Sequence, residues 1–204
     1  MTSTRSSQQN DLIVAATRVS DALRKLATAL SPNFGSDCYL HMELGQVLLG
    51  DLGIQTRRVL GFASWRVGPG VGDVLSYLPP QNGLVSPKGD GVAYHAWLES
   101  DAMIIDFTTY QLRYRAKQLD ATDGQCTRVE WCPGLLLLPT AQVRHYFEVQ
   151  QATRPGLAYY EACPALDEIV SVGEPPDPEG VRVARWLMED PNRSVVGPRG
   201  RIRA

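Results

Sequence analysis

Cys38, His95 and Asp106 occur in the order nucleophile, base, orienting acid, and their residue types suit acyl chemistry at a thiol. Cys38 falls in the first turn of a predicted helix, where the helix N-terminus favours a thiolate. Asp37, next to it, opposes that effect if its carboxylate turns toward the sulfur. The competing reading of a single cysteine is a small buried hydrophobe.

His95 and Asp106 are tied together by a predicted hairpin of Val92–Glu99 and Ala102–Thr108. A two-residue turn at Ser100-Asp101 sets Leu98 opposite Met103, Trp97 opposite Ile104, Ala96 opposite Ile105 and His95 opposite Asp106. Directly opposed side chains have Cβ atoms roughly 5 Å apart, within reach of an imidazole–carboxylate bond. Such a bond fixes the tautomer of a general base. A slip of one residue would send the two side chains to opposite faces. The alternative is an exposed His–Asp pair. Against it, Asp106 sits between Ile105 and Phe107, where an unpaired carboxylate is costly.

The elements that must position these groups follow from periodicity. Leu12, Ala15, Val19, Leu23, Leu26 and Leu30 predict an amphipathic helix over Asp11–Leu30, ended by Ser31-Pro32. A second helix starts with Ser36 or Asp37 as N-cap and runs to about Leu52 with Leu40, Leu44, Val47 and Leu48 inward, and Gly53 stops it. Ile54–Val67 reads as one long strand or a strand pair, and Gly68–Gly91 as a long loop. Beyond the hairpin, Tyr110–Leu119 reads as helix, Thr127–Leu138 as strand, and Ala141–Gln150 as either. Residues 174–180 form a linker, followed by a short helix over Val181–Glu189 and a basic tail. The expected class is α+β, with residues 1–173 as one domain and 174–204 as an appendage.

Composition narrows the partners. With 20 basic and 22 acidic residues and a net charge of -2, nothing in the charge balance predicts nucleic-acid binding. The basic cluster Arg193–Arg203 reads as a solvated tail. The N-terminal segment lacks the apolar stretch of a secretion signal, and the run Leu135–Leu138 is too short to span a membrane. Four cysteines without a CxxC pair suggest reduced thiols and a cytoplasmic protein.

The stretch His95-Ala96-Trp97-Leu98-Glu99, with Ile105-Asp106 closing the next strand, resembles the "His-Ala-Trp-Val-Glu … Val-Asp" pattern of the transglutaminase-like superfamily, in a bacterial-type form. Gly53-Ile54-Gln55-Thr56-Arg57 stands where that family has "Gly-Ile-Pro-Ala-Arg", and Cys38 opens a helix upstream. The resemblance covers about residues 36–108. It implies a papain-like core with the nucleophile helix packed on an antiparallel sheet. It also implies a Cys38–His95–Asp106 triad and a hydrolase or acyltransferase working through an acyl-enzyme on an amide, peptide or thioester. An arylamine-acetyltransferase-like enzyme is a close variant. Tyr39 stands where the family often has Trp, and Tyr39 and Trp97 are the expected substrate-side residues. No side-chain oxyanion donor is evident. The backbone N–H of Cys38 is one candidate, and Asn33 or an N-terminal Gln another.

No cofactor and no metal are expected. His41, three residues after Cys38 on the same helix face, nevertheless leaves open a metal site of Cys38, His41 and His95, with His41 otherwise an exposed helix histidine. A non-catalytic binding module on the same scaffold is the remaining alternative. Gly68-Pro69-Gly70-Val71-Gly72 lacks the Gly-Lys-Ser/Thr ending of a phosphate loop.

Overall fold

The computed structural model describes residues 2–79, 93–170, 176–198 and 200–202. Fourteen regular elements follow in the order α1 (Thr2–Leu30), α2 (Cys38–Asp51), β1 (Arg57–Arg66), β2 (Val74–Tyr77), β3 (His95–Ser100), β4 (Met103–Asp106), α3 (Leu112–Asp123), β5 (Leu136–Pro139), α4 (Tyr146–Gln151), β6 (Ala158–Ala162), α5 (Ala165–Ile169), α6 (Pro178–Glu189), β7 (Val195–Gly197) and β8 (Gly200–Ile202). This is an α+β arrangement around one antiparallel sheet of order β2-β1-β3-β4-β5, with β6 also paired to β1. Among the described residues no helix is long and apolar enough to cross a membrane.

α1 buries Leu12, Ala15, Val19, Leu23 and Leu26 of the expected stripe, leaves Leu30 at its end exposed, and begins well before Asp11. No glycine or proline interrupts the polar segment ahead of the stripe, so nothing stops the helix there. α2 ends as expected near Gly53, whose φ of 79 is a conformation glycine adopts freely. Its buried face is rotated from the expected one. Leu44 and Leu48 are buried as expected, but Leu40 is exposed and Val47 half-buried, while Met42, Gly45 and Leu49 also face inward. Gly45 explains the rotation, because a Cβ there would run into the ring of Phe107.

β1 is one strand of 10 residues, and period-two alternation splits its side chains between two cores. Leu60 and Phe62 join α1, α2 and α6 on one face. Val59, Ala63 and Trp65 join Trp97, Ile104, Leu112 and Tyr160 on the other. Gly61 lies between them, since a Cβ there would collide with the Glu161 carbonyl and the Trp97 ring.

Three expectations change. The segment expected as a loop over Gly68–Gly91 contains strand β2, which pairs with Ala63–Arg66 of β1, and its residues 80–91 lie outside the described ones. Of the expected strand Thr127–Leu138 only Leu136–Leu138 is strand, as part of β5. Upstream, carboxylates replace a ladder partner, as Asp120 accepts from the N–H of Thr127 at 2.9 Å and Asp73 from that of Arg128 at 2.7 Å. The C-terminal segment is packed in part. α6 starts with Pro178 behind an Asp177 cap and buries Val181, Ala184, Leu187 and Met188 in the same core as α1. Val195 of β7 is buried there as well.

Candidate active site

The β3–β4 hairpin turns at Asp101-Ala102, one residue later than Ser100-Asp101. Its pairs are Leu98 with Ile105, Glu99 with Ile104 and Ser100 with Met103. Asp101 takes the positive φ of 50 that such a turn needs, which aspartate tolerates better than most residues. Ser100 stays in the strand, its hydroxyl donating to the Gln55 carbonyl at 2.9 Å. Every partnership therefore shifts by two residues. An even shift preserves faces, so His95 and Asp106 become diagonal neighbours on one face instead of directly opposed ones.

The His95–Asp106 bond forms accordingly, with Nε2 and Oδ2 2.8 Å apart. Both side chains are buried, Asp106 completely. Asp106 accepts four hydrogen bonds. His95 Nε2 and the Tyr160 hydroxyl, both at 2.8 Å, share Oδ2. The backbone N–H and the hydroxyl of Thr108 share Oδ1 at 2.8 and 2.7 Å. Trp65 Nε1 in turn donates to the Tyr160 oxygen at 2.9 Å. Burial alone would push the Asp106 carboxyl up, but His95 and the Thr108 bonds hold it below its usual value. An ionised carboxylate only accepts, so Nε2 carries the hydrogen. For His95, burial disfavours the imidazolium, but the Asp106 charge and hydrogen bond, reinforced by Cys38, outweigh it and raise the pKa to about 10.

His95 is walled by rings. Trp65 meets it edge-on at 4.8 Å, while Tyr77 and Trp97 stack on it at 5.4 and 6.2 Å. Its other nitrogen, Nδ1, is buried and has no hydrogen-bond partner among the described residues.

Cys38 and His95 line one pocket with Gly35, Asp37, Trp65, Tyr77, Thr108, Gln111, Leu112 and Arg115. The pocket measures about 20 Å³, room for one water. Cys38 belongs to the core on the α2 face of the sheet, whereas the rings around His95 belong to the opposite core. The two groups meet at the end of the sheet. The first intrahelical bond of α2 runs from His41 N–H to the Asp37 carbonyl at 3.1 Å. The N–H groups of Cys38, Tyr39 and Leu40 precede it and are left out of the helix ladder. Asp37 occupies the N-cap position without capping, and among the described residues neither carboxylate oxygen is hydrogen-bonded.

Other expected participants lie elsewhere. Trp97 backs the His95 ring from within the core and does not line the pocket. Tyr39 lines a separate depression with Met42, Arg58 and Asp167. Asn33 is exposed and outside the pocket lining. His41 is buried instead of exposed. Its Nδ1 donates to the Asp37 carbonyl at 3.0 Å, 3.4 Å from Asp37 Oδ1, and Nε2 meets the Tyr110 hydroxyl at 3.1 Å. Both nitrogens are thus engaged. Among the described residues no three His, Cys, Asp or Glu side chains converge to hold a metal ion.

Tyr160, Thr108, Tyr77 and Arg115 were not anticipated. The spacing Asp106-Phe107-Thr108 is a local signal, because an aspartate readily accepts from the backbone two residues on. Nothing local marks Tyr160.

No family model matches the chain, and no curated protein matches it. A solved structure described as "The crystal structure of genomics APC5867" is similar, with a TM-score of 0.60 at 15% identity over 93% of this chain and 90% of that one. At that identity the likeness concerns the fold alone.

Proposed function

We propose that the chain is a cysteine-dependent hydrolase or acyltransferase with a papain-like core of the transglutaminase-like kind, in which Cys38 is the nucleophile, His95 the base and Asp106 the orienting acid. The observation that carries this reading is the His95 ring. Its Nε2 is bound to Asp106, while Nδ1 has no hydrogen-bond partner among the described residues and His95 shares a pocket with Cys38. A protonated imidazole beside a thiol is the ordinary condition for a nucleophilic thiolate.

The chemistry runs in two halves. The sulfur attacks the carbonyl carbon of an amide, peptide or thioester, and the uncommitted N–H groups at the start of α2 are suited to the developing oxyanion. The bond to the leaving group breaks as His95 gives that group its proton. A thioester to Cys38 remains. Water or an amine then attacks it, His95 takes the proton, and the sulfur leaves as thiolate. Tyr160 and Thr108 act earlier, by holding Asp106.

The pocket's small volume favours a second reading, a binding module that never performs the reaction. Iodoacetamide labelling of Cys38 against pH separates the two. The enzyme reading expects labelling to persist near pH 6, and His95→Ala to restrict it to the range of an ordinary thiol, roughly 8.5 and above. An ordinary thiol curve in both proteins refutes it.

A further inference from the structure

Arg115 puts a guanidinium on the wall of the pocket that holds Cys38 and His95. Its Cζ lies 5.3 Å from the centroid of the Tyr77 ring, which is itself stacked on His95. The guanidinium is thus registered against the imidazole through one intervening ring. Its polar contacts are long and neutral: Nη1 reaches Ser36 Oγ at 3.3 Å and Gln118 Oε1 at 3.5 Å.

Several arginines are paired with acids, among them Arg57 with Glu99, Arg58 with Glu43 and Arg185 with Asp51, while Arg18, Arg66 and Arg113 donate to backbone carbonyls. Among the described residues no carboxylate lies within ion-pair distance of Arg115. Of the two acids near the pocket, Asp37 lines its wall, and among the described residues neither of its carboxylate oxygens is hydrogen-bonded. Asp106 is saturated by His95, Tyr160 and Thr108, and Asp37 is buried beside His41. A half-buried cation with marginal neutral partners has lost hydration without full replacement, and an anion placed beside it restores the balance.

Resting on the reading of Cys38 as a nucleophile, we propose that Arg115 is a specificity residue for acyl substrates that carry a carboxylate close to the carbonyl Cys38 attacks. The planar fork of arginine takes a carboxylate through two parallel N–H bonds, and Tyr77 holds that plane in place. A carboxylate seated there would anchor one end of the substrate while its carbonyl lies toward the sulfur.

Iodoacetate and iodoacetamide test this, because both alkylate the same sulfur with loss of iodide and differ in carrying a carboxylate or an amide. The iodoacetate-to-iodoacetamide rate ratio at Cys38 should fall about tenfold in Arg115→Gln. Lys117→Gln removes the same charge from the exposed side of α3, and there the ratio should stay within about twofold, as for a solvent-screened charge. An unchanged ratio in Arg115→Gln, or an equal loss in Lys117→Gln, overturns the proposal. Should Arg115→Gln fail to fold, Arg115→Lys decides, because an ammonium lacks the fork. A loss of about threefold or more is expected, and an unchanged ratio overturns the proposal. The pH course of iodoacetamide labelling in wild type and His95→Ala reads the nucleophile assignment alone, so the two readings fail separately.

Discussion

Tyr160 and His95 donate to the same oxygen of Asp106, Oδ2, each at 2.8 Å. One donor comes from β3, beside Asp106's own strand, and the other from β6, which reaches the site through its pairing with β1. The carboxylate is therefore held from two directions, and the orientation of the imidazole depends on a strand far along the chain.

Tyr160→Phe keeps the ring and removes only the hydroxyl. Asp106 loses one of four bonds, and Trp65 Nε1 loses its acceptor. A buried donor left unpaired costs about 1–3 kcal/mol. Urea unfolding should show an unfolding free energy lower by that amount, as a lower midpoint at unchanged slope, with His95-dependent labelling of Cys38 retained. An unaltered midpoint would mean the hydroxyl contributes nothing.

Asp106→Asn removes the charge that holds His95 up. Burial, which acts on His95 in the opposite direction and is the largest influence, is then opposed by Cys38 without the Asp106 charge. NMR titration of the ring should find no deprotonation in wild type until near pH 10, and a pKa well below that in the variant. Persistence of the high value in Asp106→Asn would show that another group supplies the stabilisation.

Stability should depend on pH with a definite sign. The folded pKa of His95 is raised from 6.5 to about 10, so the stabilisation is full below 6.5 and disappears as pH rises through 10. The folded pKa of Asp106 is lowered, so its contribution is present above the ordinary carboxylate value and is lost as pH falls through the folded one. In a Cys38→Ala background, which removes the thiol's own titration, stability should fall between pH 6.5 and 10 by at most about 1.4 kcal/mol per unit. His95→Gln in the same background should flatten that slope. Equal slopes would assign the effect to other groups.

Gly61→Ala adds a methyl where the Glu161 carbonyl and the Trp97 ring already are. Overpacking of this kind costs typically 1–3 kcal/mol, and here the obstacle is backbone. β6 has to shift, taking Tyr160 with it. Thermal unfolding should show the loss, and Cys38 should label more slowly near pH 6. Wild-type behaviour on both measures would show that β1 and β6 separate without consequence.

Much of this was legible in the chain. The stripe of α1, the glycine that ends α2 and the Cys–His–Asp order all lie in local pattern. The His95–Asp106 bond was reachable although the turn was misplaced by one residue, because the resulting shift of two in pairing leaves the faces unchanged. Less visible was anything set by distant packing. Leu40 belongs to an apolar stripe by spacing but is exposed, since Gly45 admits Phe107 and turns the helix. Strand β2 lies in a segment rich in glycine and proline and exists because β1 offers it a partner. Tyr160 and Arg115 look like ordinary core and surface residues until the sheet and α3 bring them to the pocket.

Cys38 belongs to one core and the rings that frame His95 to the other, with the sheet between them. Thiol and imidazole meet only when both sides have closed. A chain still emerging, or one with either side open, holds a cysteine without its neighbour and reacts only as an ordinary thiol. If Cys38 is the nucleophile proposed above, reactivity of this sulfur well below the ordinary thiol range is thus a certificate of completed folding, issued once for the whole molecule.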